Sequence, residues 1–309
     1  MTSYTEPFPN PTTEADAAAE PKPERRGGFW RDLTRHPGGM FGVTVVGIFL
    51  ILAAIGPWIT PYDPNVGILT DTLSPPSMAH PFGTDELGRD TLSRVVDGSR
   101  IAVVVALLSV AMALIVGVII GIISGYCGGW VDTVLIRSQD VLFAFPTLLL
   151  AIIIVAVLGP GLFNAVLAIA IVYVPRFARV TRAAALSVRS SEFIDAARLA
   201  GVHPVIILIR HMFPNVFPSA IVLAALSTST AQLAYASLSF LGLGASPPEA
   251  DWGSMLSKAR DFVTFAPWLV IWPTAALVLM MLAFNVLGDA IRDLLDPRSE
   301  KNGRTQAAL

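Results

Sequence analysis

Five apolar runs, 40–59, 101–125, 141–158, 216–241 and 269–288, pass without a single Asp, Glu, Lys or Arg. A helix that crosses a hydrocarbon core of about 30 Å needs roughly 20 such residues. Each run therefore predicts a membrane span. A sixth run, 162–174, is shorter and reaches only about 20 Å as a helix. It spans only if the helix continues past Pro175, with Arg176 and Arg179 snorkelling to the surface.

The polar stretches differ among themselves. Residues 1–28 are rich in Pro, Glu, Thr and Ala and lack the short apolar core of a signal peptide. They predict a disordered tail. Residues 85–100 predict an amphipathic helix with Leu87, Thr91, Leu92, Val95 and Val96 on one face. Asp85–Arg89 and Asp90–Arg94 would be acid-first i,i+4 pairs on its other side. Such a helix either seats another protein or lies as a solvated face at the membrane interface. Residues 242–268 form a loop whose Trp252 and Trp268 are expected at the interface level. The chain divides into a tail (1–39), a first span with its outer loop (40–100), a five-span core (101–288) and a second tail (289–309).

Charge sets the orientation. With six spans and the N-terminus inside, sixteen Lys and Arg fall on the inner side. Five fall outside: Arg89, Arg94, Arg100, Lys258 and Arg260. That asymmetry obeys the positive-inside rule and places both termini in the cytoplasm. Without the short span, the six arginines of 175–215 would lie outside. The expected fold class is an all-α integral membrane protein with six transmembrane helices.

Composition narrows the function. Hydrophobic residues make up 54 % of the chain and charged residues 14 %, against about 25 % charge in ordinary soluble domains. A net charge of −2 argues against a nucleic-acid partner, which needs a basic balance. The lone Cys127 excludes a disulfide framework, and no His, Cys or carboxylate cluster has metal-ligand spacing. No G-x-x-x-x-G-K-[ST] is present to hold ATP. Ion-coupled transporters need an ionisable residue inside the membrane, and the spans offer nothing stronger than Gln232. The chain therefore reads as a non-catalytic subunit that draws energy from a partner. A secondary transporter and a non-transporting scaffold are the competing classes.

Residues 175–215 carry the most information. Ser190 or Ser191 can cap a helix that holds Asp195, Ala196, Ala197 and Ala200, with a small-residue face open to another helix. Gly201 suits its C-terminal end. Pro204 suits the first turn of a second helix, and Pro214 is expected to end it. Forty residues is long for a bare connection, so two short helices joined at a glycine bend predict a docking element.

These residues also carry a resemblance. Asp195-Ala196-Ala197-x-x-x-Gly201, ending at Pro214, resembles the EAA loop of membrane subunits of bacterial ATP-binding-cassette importers. The wording is similar to the C-type permease of the dipeptide, oligopeptide and nickel importers. Supporting stretches are Phe82-Gly83-Thr84-Asp85 through Asp90, Gly125-Tyr126 through Asp132, Phe145-Pro146, and Arg210-His211 through Asn215. Leu238 through Gly244 and Asn285 through Pro297 complete the series. The resemblance implies a type I, MetI-like architecture with a coupling helix seated in a cleft of an ATPase subunit. It implies a second homologous permease, two ATPase chains or one fused chain, and an extracytoplasmic binding protein, all at the bacterial plasma membrane. ATP and Mg would be held by the ATPases, with no cofactor in this chain. Carried over by position, Asp195, Ala197 and Gly201 shape the bend, and Leu199 through Leu208 supply the contact. Ala196, His203, Pro204, Arg210 and Pro214 complete the implied coupling residues. Short peptides are the expected cargo, with nickel, glutathione-like peptides and haem as alternatives.

The fifth span is rich in hydroxyls and amides, from Ser227 to Ser239. Polar groups in a span face protein or water. Gln232, Tyr235 and Ser239 are the candidate translocation-path residues, with helix packing as the competing role for the small ones. Tyr235 stands where relatives often carry Glu.

Overall fold

The computed structural model describes Arg31, Leu33, Thr34 and residues 36–295. The tail expected over 1–28 and the part of the second tail after Leu295 lie outside these residues. The described chain is helical, and its elements are α1 (Pro37–Ile59), α2 (Thr91–Cys127), α3 (Gly129–Phe143), α4 (Thr147–Leu158), α5 (Leu162–Arg189), α6 (Glu192–Leu199), α7 (Phe213–Phe240), α8 (Trp252–Ala259) and α9 (Trp268–Leu295). Five helical rods among the described residues are long and apolar enough to cross a membrane, and the bent pair α3 with α4, taken as one span, makes six.

The sixth, short run did form. Helix α5 continues through Pro175 to Arg189, as its arginines required. The run at 141–158 did not stay straight. Helices α3 and α4 meet at 92° across Ala144, Phe145 and Pro146. Proline disfavours helical geometry in the residue before it, so the chain turns at Phe145. Asp132 and Asp140, eight residues apart on α3, pair with Arg182 and Arg179 on α5. Those arginines lie within one turn of each other, so α3 crosses α5 steeply, and α4 packs into the core through Leu150, Ala151 and Val155.

The amphipathic helix expected over 85–100 is also corrected. Helix α2 begins at Thr91, because the Asp90 carboxylate accepts the Ser93 backbone N–H at 2.8 Å. Residues 85–90 form a turn instead. Gly88 sits at φ +70°, and the Asp85 carboxylate accepts the N–H groups of Leu87 and Arg89, both at 2.9 Å. The charges expected in solvent are buried.

Helices α2 and α5 share the most extensive contact in the bundle. Apolar contact gains little against lipid, so spans associate where small residues let backbones approach. Gly117, Gly121 and Gly125 recur every fourth residue on α2. A Cβ there would lie 2.4 Å from Phe177 Cβ, 2.6 Å from the Ala178 carbonyl oxygen and 2.6 Å from Ala185 Cβ respectively. The core around this seam is built from Val105, Ala113, Val155, Ile169, Phe177 and Leu238. A second cluster of Phe49, Met280 and Phe284 holds α1 and α9, and Trp252 is its centre. Trp252 is thus no interface marker: its indole N–H donates to the Val95 carbonyl at 3.0 Å inside the protein.

Candidate functional site

Residues 190–215 close the arginine-bearing end of the bundle. Helix α6 starts after Ser191, but the serine hydroxyl turns back to the Val188 carbonyl and makes no side-chain cap. The helix ends as the sequence predicts. Val202 N–H donates to Ala197 O at 3.1 Å and Gly201 N–H to Arg198 O at 3.0 Å. This paired pattern is a Schellman motif and needs a left-handed residue at Gly201, whose φ is +74°. His203 then takes the N-cap position, and Pro204 opens the next turn.

Pro214 does not end that second helix. A π-helical turn, Ile207–Met212, leads directly into α7, making one rod, Pro204–Phe240. A proline ring clashes with the carbonyl four residues back in a regular helix. The wider turn shifts the bonding to five residues, with Phe213 N–H on Leu208 O, and gives the ring room.

Two sets of side chains face opposite ways on this loop. Ile194, Ile207, Met212 and Val216 are fully buried against Val118, Ile122 and Ala185. They anchor the loop to α2 and α5. Facing out are Leu199, 90 % exposed, with Phe193, Val205 and Ile206, whereas Ile209 lines a groove along α2 with Ile115 and Ile119. An apolar group of this size on one end of a protein marks an interaction surface. Asp195, Ala196, His203, Pro204, Arg210 and Pro214 are exposed on the same loop, and Ala197 is partly buried. Asp195 pairs with Arg198 at 3.1 Å, and Arg198 lies 5.2 Å over the Tyr126 ring. That pair holds the outer face of α6 against the end of α2. Below it, Asp132 accepts both Nε and Nη2 of Arg182 at 2.6 Å, and Arg189 reaches the Gly125 carbonyl at 3.3 Å. The exposed apolar surface therefore stands on a charge-braced base.

The candidate path residues lie elsewhere and have different surroundings. Gln232, Tyr235 and Ser239 are all buried on α7. The Tyr235 hydroxyl accepts the Ala245 N–H at 3.2 Å, and the Ser239 hydroxyl donates to the Asp251 carboxylate. Both fasten the 241–251 loop to the end of α7. The Gln232 Oε1 is buried with no hydrogen-bond partner among the described residues. Ser229 bonds Asn285 of α9 at 2.6 Å, a packing role.

Two features were missed in the sequence. One is the glycine seam of α2, whose every-fourth-residue spacing was available as a signal. The other is the ionic network at the loop-rich end. Asp85 and Arg89 pair at 2.7 Å, Arg94 Nε lies 3.6 Å from the same carboxylate, and Lys258 reaches Glu86 at 3.9 Å. His80 Nδ1 bonds Asp90 at 2.9 Å.

Asp251 caps α8 by accepting from Gly253 and Ser254. Burial pushes its carboxyl up to about 6, only partly offset by those N–H groups. The folded state thus holds a proton that the unfolded chain releases near pH 4. Stability is expected to fall as pH rises from about 4 to about 6, by on the order of 3 kcal/mol. Asp251→Asn keeps the cap and removes the titration. Thermal unfolding of both proteins across pH 4–8 checks this: the gap between them changes below pH 6 and stays flat above it.

Comparison with known proteins adds a further finding. Residues 117–301 match the family described as binding-protein-dependent transport system inner membrane component. Residues 26–76 match the N-terminal TM domain of oligopeptide transport permease C. The di/tripeptide transport system permease protein DppC of Pseudomonas aeruginosa (strain UCBPP-PA14) is 40 % identical over 276 residues, covering 87 % of this chain and 91 % of that protein. The glutathione transport system permease protein GsiD of Shigella flexneri serotype 5b (strain 8401) is 44 % identical over 271 residues, covering 87 % and 89 %. GsiD of Escherichia coli O157:H7 is 43 % identical over the same length and coverage.

Proposed function

The chain belongs to the family of binding-protein-dependent transport system inner membrane components, and from that membership we propose that it is the transmembrane subunit of an ATP-driven importer of short peptides. The observation that carries this reading is the apolar surface around Leu199, exposed on a bend that is itself anchored by Ile194 and Ile207. In this reading an ATPase subunit covers that surface. Closure of two ATPase domains on ATP pushes on α6 and the π-helical turn. The push passes through Ile194, Ile207 and Met212 into α2, α5 and α7, which the buried contacts bind together. The permease pair then rocks between inward-open and outward-open states. ATP and Mg stay on the ATPases, and this chain carries out no covalent chemistry.

The arginine-bearing end faces the cytoplasm by the positive-inside rule, and both termini lie on that side. The loop-rich end faces the binding protein. A second, homologous permease completes the path. Di- and tripeptides are the cargo, glutathione among them, a choice supported by the similarity to di/tripeptide and glutathione transport system permeases. With Tyr235 and Ser239 occupied as fasteners, Gln232 is the path candidate of the three whose polar atom awaits a partner.

Purification from native membranes in mild detergent, followed by mass spectrometry, tests the reading. Two P-loop ATPase domains, a second six-span chain and a peptide-loaded binding protein are expected. Recovery of this chain alone, at expression levels where complexes survive, would overturn it.

A further inference from the structure

A cavity of about 330 Å³ opens at the outer end of α2, between that helix, the start of α5 and the loop before α8. Asp97, Arg100 and Glu249 form its polar wall, and Ile101, Val104 and Leu162 its apolar wall. Asp97 is partly buried, and Arg100 and Arg94 act on its carboxylate only through space, with no hydrogen bond or contact ion pair among the described residues; Arg100 and Glu249 are exposed and make none either. A partly buried carboxylate that no donor contacts directly keeps part of its desolvation cost. One turn away, the same region satisfies its charges fully: Arg94 donates to the Pro64 carbonyl at 2.7 Å and pairs with Asp85. The cavity wall is also held in place. Arg94 reaches the Pro248 carbonyl at 3.5 Å, Trp252 bonds Val95, and Tyr235 bonds Ala245. These contacts pin the loop on both sides of Glu249.

We propose that this cavity is a subsite for the charged termini of a short peptide, with Asp97 and Glu249 receiving the ammonium and Arg100 the carboxylate. The proposal rests on the peptide-import reading and names where cargo first meets this chain. An inorganic anion would call for cations alone, and a metal ion for carboxylates alone; a free peptide carries both signs and apolar side chains. The volume lies at the lower end of small-ligand sites, enough for a dipeptide or one end of a longer peptide. Asp97, Arg100 and Val104 share one face of α2. That face continues inward through the exposed Leu107, Leu108 and Ile115, so the subsite stands at the head of an open helix face.

The test uses the complete complex in nanodiscs without its binding protein, and radiolabelled alanyl-alanine as the probe. Asp97→Asn and Glu249→Gln are expected to weaken binding of the free dipeptide roughly tenfold each and to leave the N-acetylated dipeptide unchanged. Arg100→Gln is expected to weaken binding of peptides with a free carboxylate and to spare the amidated one. Equal losses for free and capped peptides, or no change in any variant, overturn the proposal. So does a fall in binding-protein-stimulated ATP hydrolysis with peptide affinity unchanged, which assigns the three residues to protein docking instead. Uptake into proteoliposomes carrying all subunits separates the two readings. If the wild type imports alanyl-alanine while the variants bind it normally, only the subsite falls. If the wild type imports none, the peptide reading falls and takes the subsite with it.

Discussion

Gly201→Val is expected to cut peptide uptake at least tenfold while ATP hydrolysis by the assembled complex continues. The reason is purely conformational. Gly201 sits at φ +74°, and a Cβ at this position would meet nothing within 4 Å. Steric crowding from neighbours is therefore absent, and only the backbone resists. A left-handed conformation costs a non-glycine residue about 1–2 kcal/mol, and β-branching makes the position a genuine outlier. At 1.4 kcal/mol per factor of ten, that shifts the balance away from the native bend by about five- to thirtyfold. The anchors Ile194 and Ile207 stay buried, so the chain still folds. What changes is the position of Leu199 relative to Val205 and Ile206, the three exposed apolar groups on either side of the bend.

A graded series makes the prediction specific. Asn enters the left-handed region far more readily than Val, so Gly201→Asn should retain most uptake and Gly201→Ala should fall between. Uptake and ATP hydrolysis are measured together in proteoliposomes. If Asn is as damaging as Val, the side chain and not the bend is at fault, and the backbone argument is wrong. Leu199→Glu, by contrast, leaves the bend intact and should weaken ATPase co-purification itself.

The bend was legible because its signals are local. A glycine four residues beyond Ala197 and a proline three beyond the glycine report backbone requirements directly, and tertiary context could not override them. The continuation of α5 through Pro175 was legible for a different reason: moving six arginines across a membrane is too costly for the alternative topology. Residues 85–100 were misread because charge spacing alone does not distinguish a solvated helix from a buried turn. Gly83 and Gly88, both at positive φ, and the Asp90-x-x-Ser93 cap were the stronger local signals. Pro214 was misread because a proline is a reliable stop only in a regular helix, and the π-helical turn before it is set by packing of Ile207 and Met212. The burial of Tyr235 and Ser239 could not be read at all, since their partners come from a loop that folds back over α7.

Asp85→Ala is expected to be the most destabilising single change in the described chain outside the spans. Its carboxylate is the hub of the ionic network at the loop-rich end: it pairs with Arg89, lies near Arg94 and accepts two backbone N–H groups. Arg89 is 4 % exposed and Arg94 2 %. Removing the carboxylate leaves two buried guanidinium groups without their shared anion, Arg89 retaining only Glu86 at 3.4 Å. Breaking a buried pair from one side costs about 3–5 kcal/mol. Arg94 keeps its carbonyl partner at Pro64, which places the loss at the lower end. Replacing Asp85 and Arg89 together by leucine removes most of the uncompensated charge, and buried pairs exchanged for apolar residues are often neutral. The double variant should therefore recover much of the thermal stability that Asp85→Ala loses, as read by unfolding of the purified complex. If Asp85→Ala costs under about 1 kcal/mol, in the range of exposed pairs, water reaches these arginines and the network is not what fastens the outer loop. If it costs the expected amount, the loop that carries Glu249 loses its hold on α2 through Arg94, and peptide uptake should fall with stability.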